Sequence, residues 1–318
     1  QGKLEEAEGY HREVLERRRR LLGDDHADTL NAVNNLGHLL HVRGRLEDAE
    51  PYYREALERK RKTLGDDHPG TLIAMNNLGG LLQAQGKLEE AEPYFREALE
   101  RSRRVLGGDH PGTLRAMANL GALLEPQGRF EEAELYYREA LEGKRRVLGN
   151  DHPDTLTTIS NMGVLFYAQG RFEEAELYLI EALEIRHRLL GDDHPDTLSS
   201  LNNVGALLAR QRKLEEAVPY LIEALEIGRR LLGDEHPQTL NSLNNVGAVL
   251  KAQKKPEEAE PYLREAFEGR RRVLGEEHPR TLQTMGLLAG VCRLQGREAE
   301  AAELESRMEE IKARSSGQ

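Results

Sequence analysis

Apolar residues along this chain recur in two alternating helical registers separated by short polar breaks. In residues 66–106, Leu72, Met75, Leu78, Leu81 and Leu82 fall three or four apart and predict a first helix, A, ending near Gln85. Gly86 stands where a C-cap glycine is expected. Ala91, Tyr94, Phe95, Ala98 and Leu99 then mark one face of a second helix, B, from about Leu88 to Leu106-Gly107. Asp66-Asp67-His68-Pro69 precedes helix A and predicts an Asp cap with proline in the first turn. Glu89, Glu90 and Glu92 open helix B, and Arg101, Arg103 and Arg104 close it, the order that the helix dipole favours. Gly79 on A, with Ala91 and Ala98 on B, leaves room for the two axes to approach to about 8–10 Å.

This hairpin repeats with a step of 42 residues. The step carries His26, His68, His110, His152, His194, His236 and His278, and likewise Ala7 through Ala259 and Tyr10 through Tyr262. No insertion breaks the frame, so the units share one geometry, and each must stack on its neighbours to cover its apolar faces. The expected organisation is a single array: an orphan helix B at 3–22, repeats at about 24–64, 66–106, 108–148, 150–190, 192–232, 234–274 and 276–313, and a polar tail at 314–318. The last repeat is atypical, with Leu287, Ala289 and Leu304 replacing the usual Asn, Gly and Tyr, and reads as a cap. The chain starts inside a repeat without Met, so a piece of a longer protein is expected. Arg212 and Lys254 replace the glycine that follows helix A, and Pro126 should shorten its helix. Local opening is therefore expected around residues 205–256.

Of the 318 residues, 38% are apolar and 32% charged, which suits an extended molecule with much surface. The net charge of −11 argues against a nucleic-acid backbone as partner. The basic runs at Arg17 to Arg20, Arg59 to Lys62 and Arg270 to Arg272 recur beside acidic turns and read as a self-neutralising, solvated ridge. Cys292 is the single cysteine, so an intramolecular disulfide is excluded and a reducing, cytoplasmic setting is expected. No apolar run approaches the roughly 18 residues of a membrane span, so no membrane insertion is expected. The seven histidines lie one repeat apart, too far for one metal centre, and read as helix-entry residues. The Tyr column reads as core. With no phosphate loop or nucleophile constellation, no catalytic residue, metal or cofactor is expected.

Leu36-Gly37, Ala49, Tyr53 and Ala56 stand at the spacing of the tetratricopeptide signature. The unit is longer than the usual repeat of about 34 residues. With Asn76-Asn77-Leu78-Gly79, Gln85-Gly86-Lys87-Leu88-Glu89-Glu90-Ala91-Glu92-Pro93-Tyr94 and Leu64-Gly65-Asp66-Asp67-His68-Pro69, it resembles the repeats of kinesin light chain and of nephrocystin-3. The signature Trp position holds Val33, Met75, Met117, Ile159, Leu201, Leu243 or Met285 instead. The resemblance implies an all-α fold, a right-handed α-solenoid of antiparallel helix pairs whose A helices line a concave groove.

On that reading the groove is faced by one Asn column, Asn35, Asn77, Asn119, Asn161, Asn203 and Asn245, and by a second containing Asn34, Asn76, Asn202 and Asn244. Amides can donate to and accept from a peptide backbone whatever its sequence. The same amides could instead lock repeat stacking, and both roles stay open. Gly80, Ala122, Val164, Ala206 and Ala248 would leave an open floor. Selectivity is expected from the variable column that holds Gln83, Glu125, Tyr167, Lys251 and Arg293. Arg210, Lys251 and Arg293, with Lys254 and Lys255 nearby, suggest acidic ligand segments. The expected function is a scaffold for proteins or extended peptides, like the cargo-binding region of kinesin light chain, with a kinesin heavy chain as a possible full-length partner. The alternatives are a sensor or oligomerisation array joined to a nucleotide-binding switch domain, and a passive spacer.

Overall fold

The computed structural model describes residues 2–316, with side chains described for residues 7–314. The described residues form α-helices throughout, with no strand. They pack as two compact units, residues up to 165 and residues from 166 on. The first holds α1 (Gly2–Leu22), α2 (Ala27–Val42), α3 (Leu46–Leu64), α4 (Pro69–Ala84), α5 (Leu88–Leu106), α6 (Pro111–Leu124), α7 (Phe130–Leu148) and most of α8 (Pro153–Ala168). The second holds the end of α8, then α9 (Phe172–Leu190), α10 (Pro195–Arg210), α11 (Leu214–Leu232), α12 (Pro237–Ala252), α13 (Pro256–Leu274), α14 (Pro279–Leu294) and α15 (Glu298–Ser316). Helix α15 runs on to Ser316, so residues 314–316 of the expected polar tail are helical. Within each unit consecutive helices pack as antiparallel hairpins, and successive A helices touch.

The turn into each A helix is not built on the expected Asp cap. The His68 imidazole is the cap, its Nδ1 accepting the Gly70 N–H at 3.0 Å. His26, His110, His152, His194, His236 and His278 accept the same bond at 3.0–3.2 Å. Thr71 Oγ1 donates to the Gly65 carbonyl at 2.8 Å, tying the new helix to the end of the previous one. Gly65 itself has φ 87° and ψ 163°, a conformation essentially restricted to glycine. The recurring Leu-Gly-acidic-acidic-His string is therefore a backbone device. It needs neutral imidazole acceptors, and among the described residues no group of three potential ligands is placed to hold a metal.

Between the two helices of a pair, the glycine on A meets a large side chain on B. A Cβ at Gly79 would stand 3.0 Å from the Phe95 ring, and one at Gly247 would stand 2.5 Å from Leu263 Cγ. The buried aromatic is the residue after the expected Tyr. Tyr53, Phe95 and Tyr137 are buried, whereas Tyr52, Tyr94 and Tyr136 are half-buried and Tyr10 is exposed. One residue turns a helix by about 100°, enough to carry the Tyr column to the edge of the stripe. There Tyr52 Oη accepts from Arg12 Nη1 of the preceding B helix at 3.1 Å. Pro126 ends α6 at Leu124 and leaves a 3₁₀ turn, Glu125–Gln127.

A polar clamp joins successive hairpins. Gln85 Nε2 and Lys87 Nζ both donate to Glu50 of the preceding B helix, at 2.9 and 3.1 Å. The Gln85 bond, with those of Arg54 and Lys87, outweighs burial and holds the Glu50 carboxyl at about 2 against its ordinary 4.5. Gln211 and Lys213 grip Glu176 in the same way, and Gln295 and Arg297 grip Glu260. At one joint the acceptor is replaced by Val218. Both polar atoms of the Gln253 side chain are then buried without a partner. The same stretch carries the two non-glycine residues of positive φ, Arg212 at 66° and Lys254 at 60°. Each such residue costs about 1 kcal/mol. Restoring the acceptor with Val218→Glu should stabilise the protein by about 1 kcal/mol. It should also slow amide exchange selectively within residues 205–256. An exchange map that is already uniform along the wild-type chain, or that the substitution leaves unchanged, would contradict this.

Candidate functional site

The A helices place the Asn columns as their repeat spacing requires, but the two columns differ in environment. In the first unit Asn77 Nδ2 donates to Asn34 Oδ1 at 2.9 Å, and Asn119 Nδ2 donates to Asn76 Oδ1 at 3.3 Å. In the second, Asn245 Nδ2 donates to Asn202 Oδ1 at 3.3 Å. The columns thus cross-link neighbouring A helices. Asn76 is buried and also donates to the Leu72 carbonyl at 2.9 Å. Asn244 is 5% exposed, its Oδ1 accepting from Thr284 Oγ1 at 2.9 Å and Arg270 Nη1 at 3.2 Å. Asn202 donates to Ser242 Oγ at 2.8 Å. These inner amides are wall material, because a buried amide must satisfy itself within the protein.

The outer column keeps its access. Asn35 is exposed, and Asn77, Asn119, Asn161, Asn203 and Asn245 are half-buried. Asn161 lies beside the Tyr137 hydroxyl. The Asn203 side chain makes no hydrogen bond among the described residues, while Asn77, Asn119 and Asn245 use an N–H on the wall and leave the amide oxygen open.

The variable column is less uniform than its spacing suggests. Gln83 Nε2 donates to the Ala122 carbonyl of the next A helix at 2.9 Å. Glu125 sits in the 3₁₀ turn left by Pro126, and burial pushes its carboxyl up. The Tyr167 ring packs 6.1 Å from that of Phe172. Lys251 lies directly over Gly290. Arg293 pairs with Glu305 of α15 at 2.6 Å, within its own hairpin, and its side chain stays exposed. Arg210 is drawn toward the Phe172 ring, 6.0 Å away.

The basic ridge likewise divides. Arg59 pairs with Asp25 at 2.9 Å, Arg101 with Asp67 at 2.9 Å and Arg61 with Glu97 at 2.6 Å, as a self-neutralising surface should. One position per repeat instead points inward between A helices. It holds Lys60, Lys144, Arg186 and Arg270, all buried. None makes an ion pair among the described residues: Lys60 reaches Asn31 Oδ1, Lys144 reaches Thr158 Oγ1 and Arg186 reaches Ser200 Oγ, at 3.2, 2.8 and 2.6 Å. Burial lowers the Lys144 ammonium to about 8 and, with Arg280 nearby, the Arg270 guanidinium to about 10. The sequence signal for this column was partial, basic residues at 60, 144, 186 and 270 interrupted by Ser102 and Gly228, and it was masked by the arginines on either side.

In the second unit a cleft of about 370 Å³ opens between α10, α12 and α14. Asn202, Asn203, Asn241, Asn244 and Asn245 line it together with Arg270 and Arg280. Such a cleft can hold a chain segment by amide hydrogen bonds and attract negative charge.

Stacked helical hairpins that present an amide-lined face define an all-α repeat scaffold of the solenoid class. The chain belongs to the tetratricopeptide repeat family, whose profile matches residues 1–60, 28–98, 73–146, 127–186, 154–218, 196–272 and 241–313. Among solved structures it is similar to a putative kinesin light chain of Podosopora anserina with nearly identical TPR-like repeats. That likeness has 25% identity and a TM-score of 0.57, and covers 66% of this chain and 99% of that one. It is similar in fold to BtubC (BKLC) from P. vanneervenii, with 23% identity, a TM-score of 0.61, and 73% and 93% of the two chains covered. The apo form of the quorum sensor NprR from B. thuringiensis shares the fold at 15% identity and a TM-score of 0.70, over 89% of this chain and 76% of that one. No curated protein sequence matches the chain. Tetratricopeptide repeats serve generally as protein-interaction scaffolds, and no described helix is long and apolar enough to cross a membrane.

Proposed function

We propose that this protein binds extended peptide segments along the face of its A helices and acts as a non-catalytic scaffold. The observation that carries the reading is the outer Asn column. Its amides are half-buried or exposed, and the Asn203 side chain makes no hydrogen bond among the described residues. Open amide oxygens would accept the backbone N–H groups of a ligand strand, while N–H groups not used on the wall would donate to its carbonyls. The contact set is Asn35, Asn77, Asn119, Asn161, Asn203 and Asn245, with Gln83, Glu125, Tyr167 and Lys251 reading ligand side chains. Asn34, Asn76, Asn202, Asn244 and Arg293 leave that set in this reading, because their polar atoms bond to the wall or to α15.

The likeness to a putative kinesin light chain supports a cargo adaptor as the specific form of this scaffold. A kinesin heavy chain would then be a partner of the full-length protein, in the cytoplasm. Display selection of unbiased peptides on the wild-type chain tests the reading. Selected peptides should bind Asn119→Ala and Asn203→Ala variants about tenfold more weakly. Asn203→Ala should leave the thermal unfolding curve in place. Peptides indifferent to both substitutions, or a selection that enriches nothing, would count against it.

A further inference from the structure

Arginine holds one position of most B helices, as Arg12, Arg54, Arg96, Arg138 and Arg264, but α9 and α11 carry Ile180 and Ile222 there. The arginine has a definite task. Arg96 Nη2 donates to Glu132 of the next B helix at 2.6 Å, and its Nη1 donates to the Tyr136 hydroxyl at 3.4 Å. Arg264 pairs with Glu300 at 2.6 Å in the same way. The two isoleucines leave the corresponding partners behind. Glu216 and Glu258 occupy the positions of Glu132 and Glu300, stand exposed, and make no ion pair among the described residues. The Tyr220 hydroxyl, counterpart of that of Tyr136, makes no hydrogen bond among them.

The same stretch gains apolar surface. Leu177, 71% exposed, stands where Pro51, Pro93, Pro219 and Pro261 stand in other B helices. Leu177 and Ile180 line a hollow of about 430 Å³ on α9, between Glu173, Glu176, Glu181 and Glu184. Gln211 and Lys213, which lead into α11, hold Glu176, whereas Glu173 and Glu184 are exposed and make no ion pair among the described residues. An apolar strip rimmed by carboxylates that the chain does not neutralise suits contact with a basic partner. Helices α9 and α11 spend their backbone groups internally. A segment that buries apolar side chains against them must therefore satisfy its own backbone, as a helix does.

We propose that the B-helix face of α9 and α11 docks an amphipathic helix of a partner protein, its apolar stripe on Leu177, Ile180 and Ile222 and its flanking Lys or Arg side chains on Glu216 and Glu258. A partner cation beside Ile180 takes the place of the missing arginine. It meets the Glu216 carboxylate and the Tyr220 hydroxyl, the pair of acceptors that Arg96 meets at its own joint. The carboxylates Glu173 and Glu184 extend the acidic rim along α9. This surface is distinct from the A-helix face, and the inference does not rest on peptide binding there.

The test uses three designed helical peptides as long as α9, 19 residues, titrated against the whole chain by fluorescence anisotropy. The first has a Leu stripe flanked by Lys and Arg, the second the same stripe flanked by Glu, and the third the basic flanks with Ser in place of Leu. The first should bind about tenfold or more tightly than either other, and its affinity should fall as salt rises. Ile180→Arg and Ile222→Arg should each weaken it about tenfold, because the new arginine covers the strip and neutralises the carboxylate. Arginine is the residue of the sister repeats, and a thermal melt confirms folding. Leu177→Ser alters an exposed side chain, should weaken binding likewise, and keeps the test valid should an arginine variant unfold. Asn203→Ala should leave the affinity unchanged. Equal binding of all three peptides, binding by none, or indifference to the three B-face substitutions overturns the proposal. A loss caused by Asn203→Ala alone moves the peptide to the A-helix face and also overturns it. Self-association of the chain that Leu177→Ser abolishes overturns it in favour of a second copy as occupant.

Discussion

Phe95→Ala should cost the protein about 3–5 kcal/mol of stability, read as a shift in the urea unfolding midpoint. Phe95 is 1% exposed and lies on the face where α4 and α5 meet. Its ring fills the space left by Gly79, whose missing Cβ would stand 3.0 Å away. Alanine would leave a cavity bounded by two helix backbones that Ala91 and Ala98 already hold close. Little can collapse into it, which places the expected cost at the upper end for large-to-small changes. The neighbouring substitution Tyr94→Ala should cost no more than about 1–2 kcal/mol, since Tyr94 is half-buried. If the two substitutions cost the same, or Tyr94→Ala costs more, the assignment of the buried register to Phe95 is wrong.

The second large effect concerns a single added carbon. Gly247→Ala should destabilise by about 1–3 kcal/mol. A Cβ there would meet Leu263 Cγ at 2.5 Å, Leu263 Cδ2 at 2.8 Å and the Ala259 carbonyl oxygen at 3.3 Å. Leu263 can escape only by moving at its own branch point, and the backbone oxygen cannot escape at all without separating the helices. Gly80→Ala is the matched control. It adds the same carbon to another A helix with nothing within 4 Å, and should stabilise by about 0.5–1 kcal/mol through helix propensity. The pair is therefore expected to differ in sign. Equal effects from the two would mean that the close A–B approach does not carry the packing.

These two predictions depend on different layers of information. That the chain forms alternating helices was legible in the spacing of Leu72, Met75, Leu78 and Leu82, and in the return of every landmark after 42 residues. The shortening of α6 by Pro126 followed from its missing N–H and ring bulk. The positive φ at Arg212 and Lys254 followed from their place in the glycine column. What failed was assignment between neighbours. An Asp of Asp66-Asp67 was the expected cap by residue type, but the His68 ring reaches the Gly70 N–H and takes its place. Tyr94 was the recurring aromatic, but Phe95 is the one that turns inward. A helical stripe read from sequence is uncertain by about one residue, or 100°, and only the partner helix resolves it.

The candidate site shows the same division. Repetition marked the Asn columns, yet it could not tell which column would be sealed by packing, because both recur equally. Asn76 and Asn244 became structural when the adjoining helix closed over them. Arg293, expected on the ligand face from its column, pairs with Glu305 of its own hairpin, a contact that the column could not show. Arg270 was read as one of a solvated run, and it is buried. By itself the sequence determined the helix pairs, their constant period and the family, because backbone propensity and apolar spacing are local properties repeated without interruption. Tertiary structure alone decided which amides stay open and which cations lose their water, because burial is set by the neighbouring helix and no local pattern encodes it.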